Sequence, residues 1–409
     1  MKKSLFIIAA AALVVSCANN DVRNEIVQSD MPIGFSKVYI EKGTKAAYNE
    51  LGDFVKAGSN FGVFGYKTVG ETGSETTSKV FGERDGESQG VMVECKQEGT
   101  GDNPTFYWEY SPLRYWDKLA NKYSFYAYAP YNALDEGEDA TSTDDDEYLL
   151  GTVALASNDA KAFSITGFKQ KTAQADMVDI MTDLTSQNSV TGDKVGVNKV
   201  QFTFGHILSN INLMMAVGAD LKNDETNNPV TVVSVSLGDI KMDGDYAYNS
   251  ETGHEKYEWT LAEEATEAEF NAEKTKYNEG EDNEYEAVFG AGVLKANTNA
   301  LSGGDELAEA KVGLTAVPGL TDLLFVPQDV NDADYAISIK YKIQEEVFEK
   351  TINLSEFTRT VSDEDQSLET WEPGTKYTYV LIIGPTPILF DVKAITDWAD
   401  GGTFTYTID

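Results

Sequence analysis

Large apolar side chains recur at every second position in several stretches of this chain, and that period decides what it can fold into. Tyr335, Ile337, Ile339, Tyr341 and Ile343 alternate with Ala336, Ser338, Lys340 and Lys342, and Ile207, Ser209, Ile211, Leu213, Met215 and Val217 keep the same step. An extended strand sends successive side chains to opposite faces, whereas a helix would scatter this pattern around its circumference. Residues 206–217 are therefore expected as one long strand with His206 at its start. Residues 403–409 form another candidate, with Phe404, Tyr406 and Ile408 on one face and Thr403, Thr405 and Thr407 on the other. The aromatic runs 106–110 and 123–130 favour a pleated surface and predict two strands joined through 111–114. Between 260 and 276 alanines set among glutamates predict a short exposed helix or a long insertion that adds nothing to the core. Many short strands separated by turn chemistry such as Glu372-Pro373-Gly374 indicate an all-β chain of two tandem β-sandwich domains with short helical insertions.

Composition narrows the partners. The chain is 41% hydrophobic and 11% aromatic, values of a packed globular protein. Its 68 acidic residues against 32 basic ones give a net charge of −36, which repels a polyanion, so nucleic acid is excluded as a partner. The acidic loop 135–147 lacks the spacing of an EF-hand. No HExxH or phosphate-cradling Gly-Lys-Ser/Thr sequence is present, and two histidines, His206 and His254, offer little to a catalytic centre; no enzyme activity, cofactor or metal is expected.

The N-terminus sets the compartment. Lys2 and Lys3 precede the apolar run 5–15, which is too short to cross a membrane. Val14-Val15-Ser16-Cys17 resembles a bacterial lipobox, so residues 1–16 are expected to be a lipoprotein signal and Cys17 the lipidated first residue of the mature chain. Residues 17–30 then form a tether, 31–218 an N-terminal sandwich domain and 219–409 a C-terminal one. With Cys17 acylated, Cys95 is the remaining thiol, so no disulfide is expected. The polar break 41–47 between strand candidates is a candidate processing site, cut after Lys45 and before Ala46, with Arg23 as the runner-up.

Several phrases occur in a telling order: the lipobox at Cys17, Phe61-Gly62-Val63-Phe64-Gly65-Tyr66, Tyr115-Trp116 with Tyr123-Ser124-Phe125-Tyr126-Ala127-Tyr128-Ala129-Pro130, Phe204-Gly205-His206-Ile207-Leu208-Ser209, Phe325-Val326-Pro327-Gln328, and 371–379 with Trp398 behind it. Taken together they resemble the fimbrillin family of the Bacteroidales, lipoprotein precursors of pilus subunits. The resemblance implies two tandem transthyretin-like sandwiches and a precursor that reaches the outer membrane. It also implies that a protease removes the N-terminal segment with its first strand, and that a neighbouring subunit's strand fills the opened groove. The family's arginine-directed cut meets Thr44-Lys45-Ala46 here, which opens the alternative of an anchor or tip subunit. Phe404, Tyr406 and Ile408 are the candidate donor strand, the alternative being that they complete their own sheet. Other fimbrial subunits, the outer membrane through the lipid on Cys17, and a host or bacterial surface ligand are the partners implied. A surface glycan-binding lipoprotein using the aromatics from Trp108 to Tyr128 is the reading from another class.

Overall fold

The computed structural model describes residues 28–36, 38–40, 54–84, 87–99, 104–131, 150–184, 190–191, 199–217, 230–278, 284–289, 315–331, 335–343, 346–361, 364–383, 389–392, 399–400 and 404–406. The regular structure of these residues is almost entirely strand, gathered mainly into two nine-stranded and two four-stranded sheets. The helical turns Ala160–Ala162, Gln174–Asp176 and Leu354–Glu356 are three residues each.

The first nine-stranded sheet is built on Asn60–Val69 and Ala120–Ala129, antiparallel with Gly62 opposite Tyr128. Alternation puts Phe61, Val63, Tyr123, Phe125 and Ala127 on one face, in a core shared with Phe81, Val93, Phe202 and Phe204. Phe64, Tyr66, Tyr126 and Tyr128 point the other way. They pack on a four-stranded sheet made of Thr152–Leu155, Phe163–Lys169, Asp243–Asn249 and Lys256–Leu261. Both faces are thus covered, which explains the near-continuous apolar sequence of these two strands. Glycine is required at 62, because a methyl group there would land on the Tyr128 ring.

The second nine-stranded sheet centres on Ser209–Val217, which runs parallel to Thr375–Ile383. The facing four-stranded sheet comprises Glu267–Asn271, Val230–Lys241, Ala336–Ile343 and Glu346–Asn353. Between them Phe325 stacks on Trp371 at 5.6 Å, and Trp371 Nε1 donates to the Tyr379 hydroxyl at 2.9 Å.

Three expectations need correction. The strand expected over 206–217 is two strands, Thr203–His206 and Ser209–Val217, in different large sheets. Ile207 and Leu208 form the crossing: the Ile207 amide donates to the Ile180 carbonyl at 3.1 Å, the Ile207 carbonyl accepts the Trp259 indole at 2.6 Å, and the Leu208 carbonyl accepts the Gly374 amide at 2.8 Å. The buried parity changes at this joint, from Phe204 and His206 to Ile211, Leu213 and Met215, but Ile207, buried in the crossing itself, keeps step with the second strand and hides the break. The expected helix or insertion over 260–276 contains the strand Glu267–Asn271, with Phe270 and Ala272 buried and Glu267, Glu269 and Asn271 exposed. There the period of two outweighed helix propensity. The aromatic region holds three strands, Thr105–Glu109, Tyr115–Asp117 and Ala120–Ala129, where two were expected.

Strand pairing crosses residue 218 in both directions. Ser209–Val217 joins the sheet of the C-terminal half, and the hairpin Asp243–Asn249 with Lys256–Leu261 extends the sheet begun at Thr152–Leu155. At the return crossing the buried Gln328 side chain clamps the chain, accepting from the Lys241 amide at 3.3 Å and donating to the Lys241 carbonyl at 3.1 Å. His206 lies at the first crossing, ending Thr203–His206 and not, as expected, starting the longer strand, with its Nδ1 2.7 Å from the buried Asp179 carboxylate.

Candidate functional site

The segment from Gln28 to Ile40 enters the first core from outside the long strands. Gln28–Pro32 pairs antiparallel with Tyr115–Asp117, its partner in a two-stranded sheet. Phe35 then bridges Val200 in parallel, and Tyr39–Ile40 runs parallel to Thr203 and Phe204. The Ser36 amide donates to the Val200 carbonyl at 2.8 Å, and the Val200 amide donates to the Gly34 carbonyl at 2.9 Å. Ile33, Phe35 and Val38 are 1%, 4% and 1% exposed. Burial of three such side chains contributes about 5–9 kcal/mol before the ordering cost.

The groove these residues fill is walled by rings. Phe35 lies 5.6–5.9 Å from Phe61, Phe81, Tyr110 and Phe202, edge-on to the first three and stacked on the last. One edge is the strand Tyr115–Asp117, held from behind by the buried Trp116 against Tyr123 at 4.7 Å. Lys67 adds an ion pair to Asp117 at 2.9 Å. Beside it Tyr110 and Arg114 hold the main chain of Ile33. The Ile33 amide donates to the Arg114 carbonyl at 2.8 Å, and the Tyr110 hydroxyl donates to the Ile33 carbonyl at 2.7 Å while accepting the Arg114 amide at 3.1 Å. Burial pushes the Tyr110 phenol up, partly offset by the Arg114 main-chain hydrogen bond and positive charge, so it stays a donor at neutral pH.

Arg114 is itself buried, at 5% exposure. Its Nε donates to the Val80 carbonyl at 2.8 Å, Nη1 to the Pro112 carbonyl at 2.9 Å, and Nη2 reaches both Glu87 oxygens at 2.7 Å. The guanidinium also lies 5.5 Å from the centre of the Phe81 ring. A polar cleft of about 400 Å³ lined in part by Glu87, Glu94, Lys96, Glu109 and Tyr110 opens beside this network. Among the described residues no group of three or more His, Cys, Asp or Glu is placed to hold a metal ion.

A segment laid as a strand into an apolar, ring-lined groove, with main-chain pairing on both sides, is the geometry of strand addition. Residues 44–398 match the model of a family described as fimbrillin-like. The chain belongs to the fimbrillin-like family. It is 25% identical, over 97% of each chain, to Fimbrium subunit Fim1C of Phocaeicola vulgatus. It is 22% identical to a solved fimbrial protein from Bacteroides vulgatus, with a TM-score of 0.49 over 90% of this chain and 99% of that one. The fimbrillin-like match begins at Thr44, beyond Ile40, where the groove-filling segment ends.

Most of the site residues named from the sequence of this fimbrillin-like chain are not among those described. Cys17, Arg23, Lys45, Ala46 and Ile408, with the acidic loop 135–147 and Trp398, fall outside the described residues. The main chain of Phe404–Tyr406 pairs between Leu389–Val392 and Thr358, in the second nine-stranded sheet. Trp108, the first of the aromatics considered for sugar stacking, packs on Phe61 at 4.8 Å and Phe54 at 5.6 Å. Tyr123, Phe125 and Tyr128 are buried, so most of that aromatic stretch is core. Sequence reasoning missed Tyr110 and Arg114. The available signal was an arginine directly before Tyr115-Trp116 in an otherwise aromatic neighbourhood, where a charge must find buried partners.

Proposed function

We propose that this chain is a structural subunit of a cell-surface fimbrium that serves adhesion, and that its groove is the joint between subunits. Residues 28–40 act as a resident strand, and processing within 41–47, after Lys45, frees them so that a strand of a neighbouring subunit takes their place. Export as a lipoprotein precursor, with acyl chains on Cys17 holding it at the outer membrane, precedes this step. Two or more chains would hold the precursor stably, since each buried CH₂ contributes about 0.8 kcal/mol. The chain divides functionally into two sandwiches, with His206–Ser209 and Lys241–Asp243 as the crossings, and the C-terminal residues Phe404, Tyr406 and Ile408 are the donor candidate. No enzymatic step by this chain is required.

The observation that carries this reading is the seating of Ile33, Phe35 and Val38, which complete the first core from a segment preceding the matched family region. The reading is tested by immunogold electron microscopy of expressing cells together with N-terminal sequencing of surface material. Filaments containing a chain that begins at Ala46 are expected, and Cys17→Ser should release the precursor from membranes. Labelled filaments whose chains still begin at Cys17 would point to an anchor, and the absence of this chain from filaments would overturn the proposal.

A further inference from the structure

We infer that Tyr110 and Arg114 fix the register of whichever strand occupies the groove, and that the neighbouring ring pocket selects that strand by an aromatic residue two positions further on. This rests on the strand-replacement reading above and adds what the groove recognises: an extended peptide with an aromatic residue two positions after the one whose main chain is gripped. The resident segment shows the pattern as Ile33-Gly34-Phe35. Tyr110 and Arg114 grip the donor and the acceptor of one residue, Ile33, so sliding the occupant by one position would put the wrong groups opposite both. Four rings surround Phe35 at 5.6–5.9 Å, a site sized for a ring. Position 34 is not read, since a Cβ added there would meet Lys199 side-chain carbons at 3.6 Å or more, an ordinary contact.

The grip is built without help from the strand it holds. The Arg114 guanidinium is bound to the Val80 and Pro112 carbonyls and the Glu87 carboxylate, all belonging to the body. The Tyr110 hydroxyl has one proton and two acceptors in reach, the Ile33 carbonyl at 2.7 Å and the Arg114 carbonyl at 3.3 Å. When the resident strand leaves, the proton turns to the Arg114 carbonyl, which has just lost the Ile33 amide. Neither group is left unsatisfied, and the empty groove keeps its shape for the next strand.

The test uses the full chain with a protease recognition sequence inserted between residues 40 and 54 and then cut, so that the severed segment remains bound. A fluorescent synthetic peptide of sequence 28–40 is added and its displacement of the severed segment followed. N-methylation of the peptide at Ile33, which removes the amide donor, should weaken binding about tenfold. Phe35→Ala in the peptide should weaken it by about a hundredfold or more, and Gly34→Ala by less than about threefold. Tyr110→Phe in the protein should weaken the parent peptide about tenfold. N-methylation leaves the protein untouched, so its effect is independent of how Tyr110→Phe folds. If the parent peptide exchanges but the N-methylated and Phe35→Ala peptides bind equally well, the recognition rule is wrong while the groove stands. If no peptide displaces the severed segment, the groove reading itself fails.

Discussion

Arg114 shows how one buried charge can organise a joint. Its guanidinium is 5% exposed and tied to a carboxylate and two carbonyls, so removing it strands Glu87 and the Val80 and Pro112 carbonyls together. Breaking such a pair costs about 3–5 kcal/mol, and Arg114→Met is expected to lower the urea unfolding free energy by that amount. Lys340→Ala, which removes an exposed partner of Glu349, should change it by less than about 0.5 kcal/mol. The tyrosines give a second measurement at this scale. Burial pushes Tyr66, Tyr123 and Tyr246 up to about 12, because the phenolate is the charged form that the core disfavours. Their folded values lie above the unfolded value of 10, so their contribution to stability is complete below pH 10 and is lost as pH rises from 10 to about 12. Absorbance titration near 295 nm should show a late-titrating class that appears together with unfolding. Titration of every tyrosine near pH 10 with the fold intact would contradict the burial of these three rings.

Strand by strand, the N-terminal segment differs from those around it. Asn60–Val69 and Ala120–Ala129 are paired along their lengths and covered on both faces, whereas residues 28–40 are held by short pairings and three buried side chains. Such an element opens by itself before the core does. The amides of Ile33 and Ser36 should exchange with deuterium on the order of a hundredfold faster than those of Phe64 and Tyr126, and equal protection would show that the segment is an integral strand. Much at this scale was legible from period and composition. Alternation located the strands 209–217 and 336–343, and aromatic runs located the first core. The turn from one sheet to another at Ile207 and Leu208 was not legible, because alternation records which face is buried and not which sheet lies beneath it. Glu267–Asn271 was misread because its alanines suggested helix while Ala268, Phe270 and Ala272 kept a strand's step. The grip at Tyr110 and Arg114 lay hidden for another reason: it depends on Ile33, Val80 and Glu87 meeting across the fold, and no local pattern encodes that meeting.

For the molecule as a whole, three of the phrases that carried the family resemblance converge in space. Phe204 to Ser209, Phe325 to Gln328 and Trp371 to Tyr379 meet around the two crossings between the sheet pairs, through the Gly374 amide on the Leu208 carbonyl, the Ser209 hydroxyl on the Glu372 carbonyl and the Gln328 clamp on Lys241. A rigid joint of this kind suits a subunit that transmits load from a groove in one sheet pair to a strand in the other. The residues that would make the filament, by contrast, lie towards the two ends of the chain, in a segment that precedes the family match and in a strand that follows it. The central claim is that a neighbouring subunit's strand replaces residues 28–40 in the groove. It is tested most directly by placing azidophenylalanine at Phe202, whose ring stacks on Phe35 at 5.8 Å, and irradiating both the isolated precursor and assembled surface filaments. Cross-links from the precursor to its own residues 33–38, and from filaments to a peptide of a different chain, are the expected result; filaments whose cross-links still run only to the subunit's own residues 33–38 would contradict it.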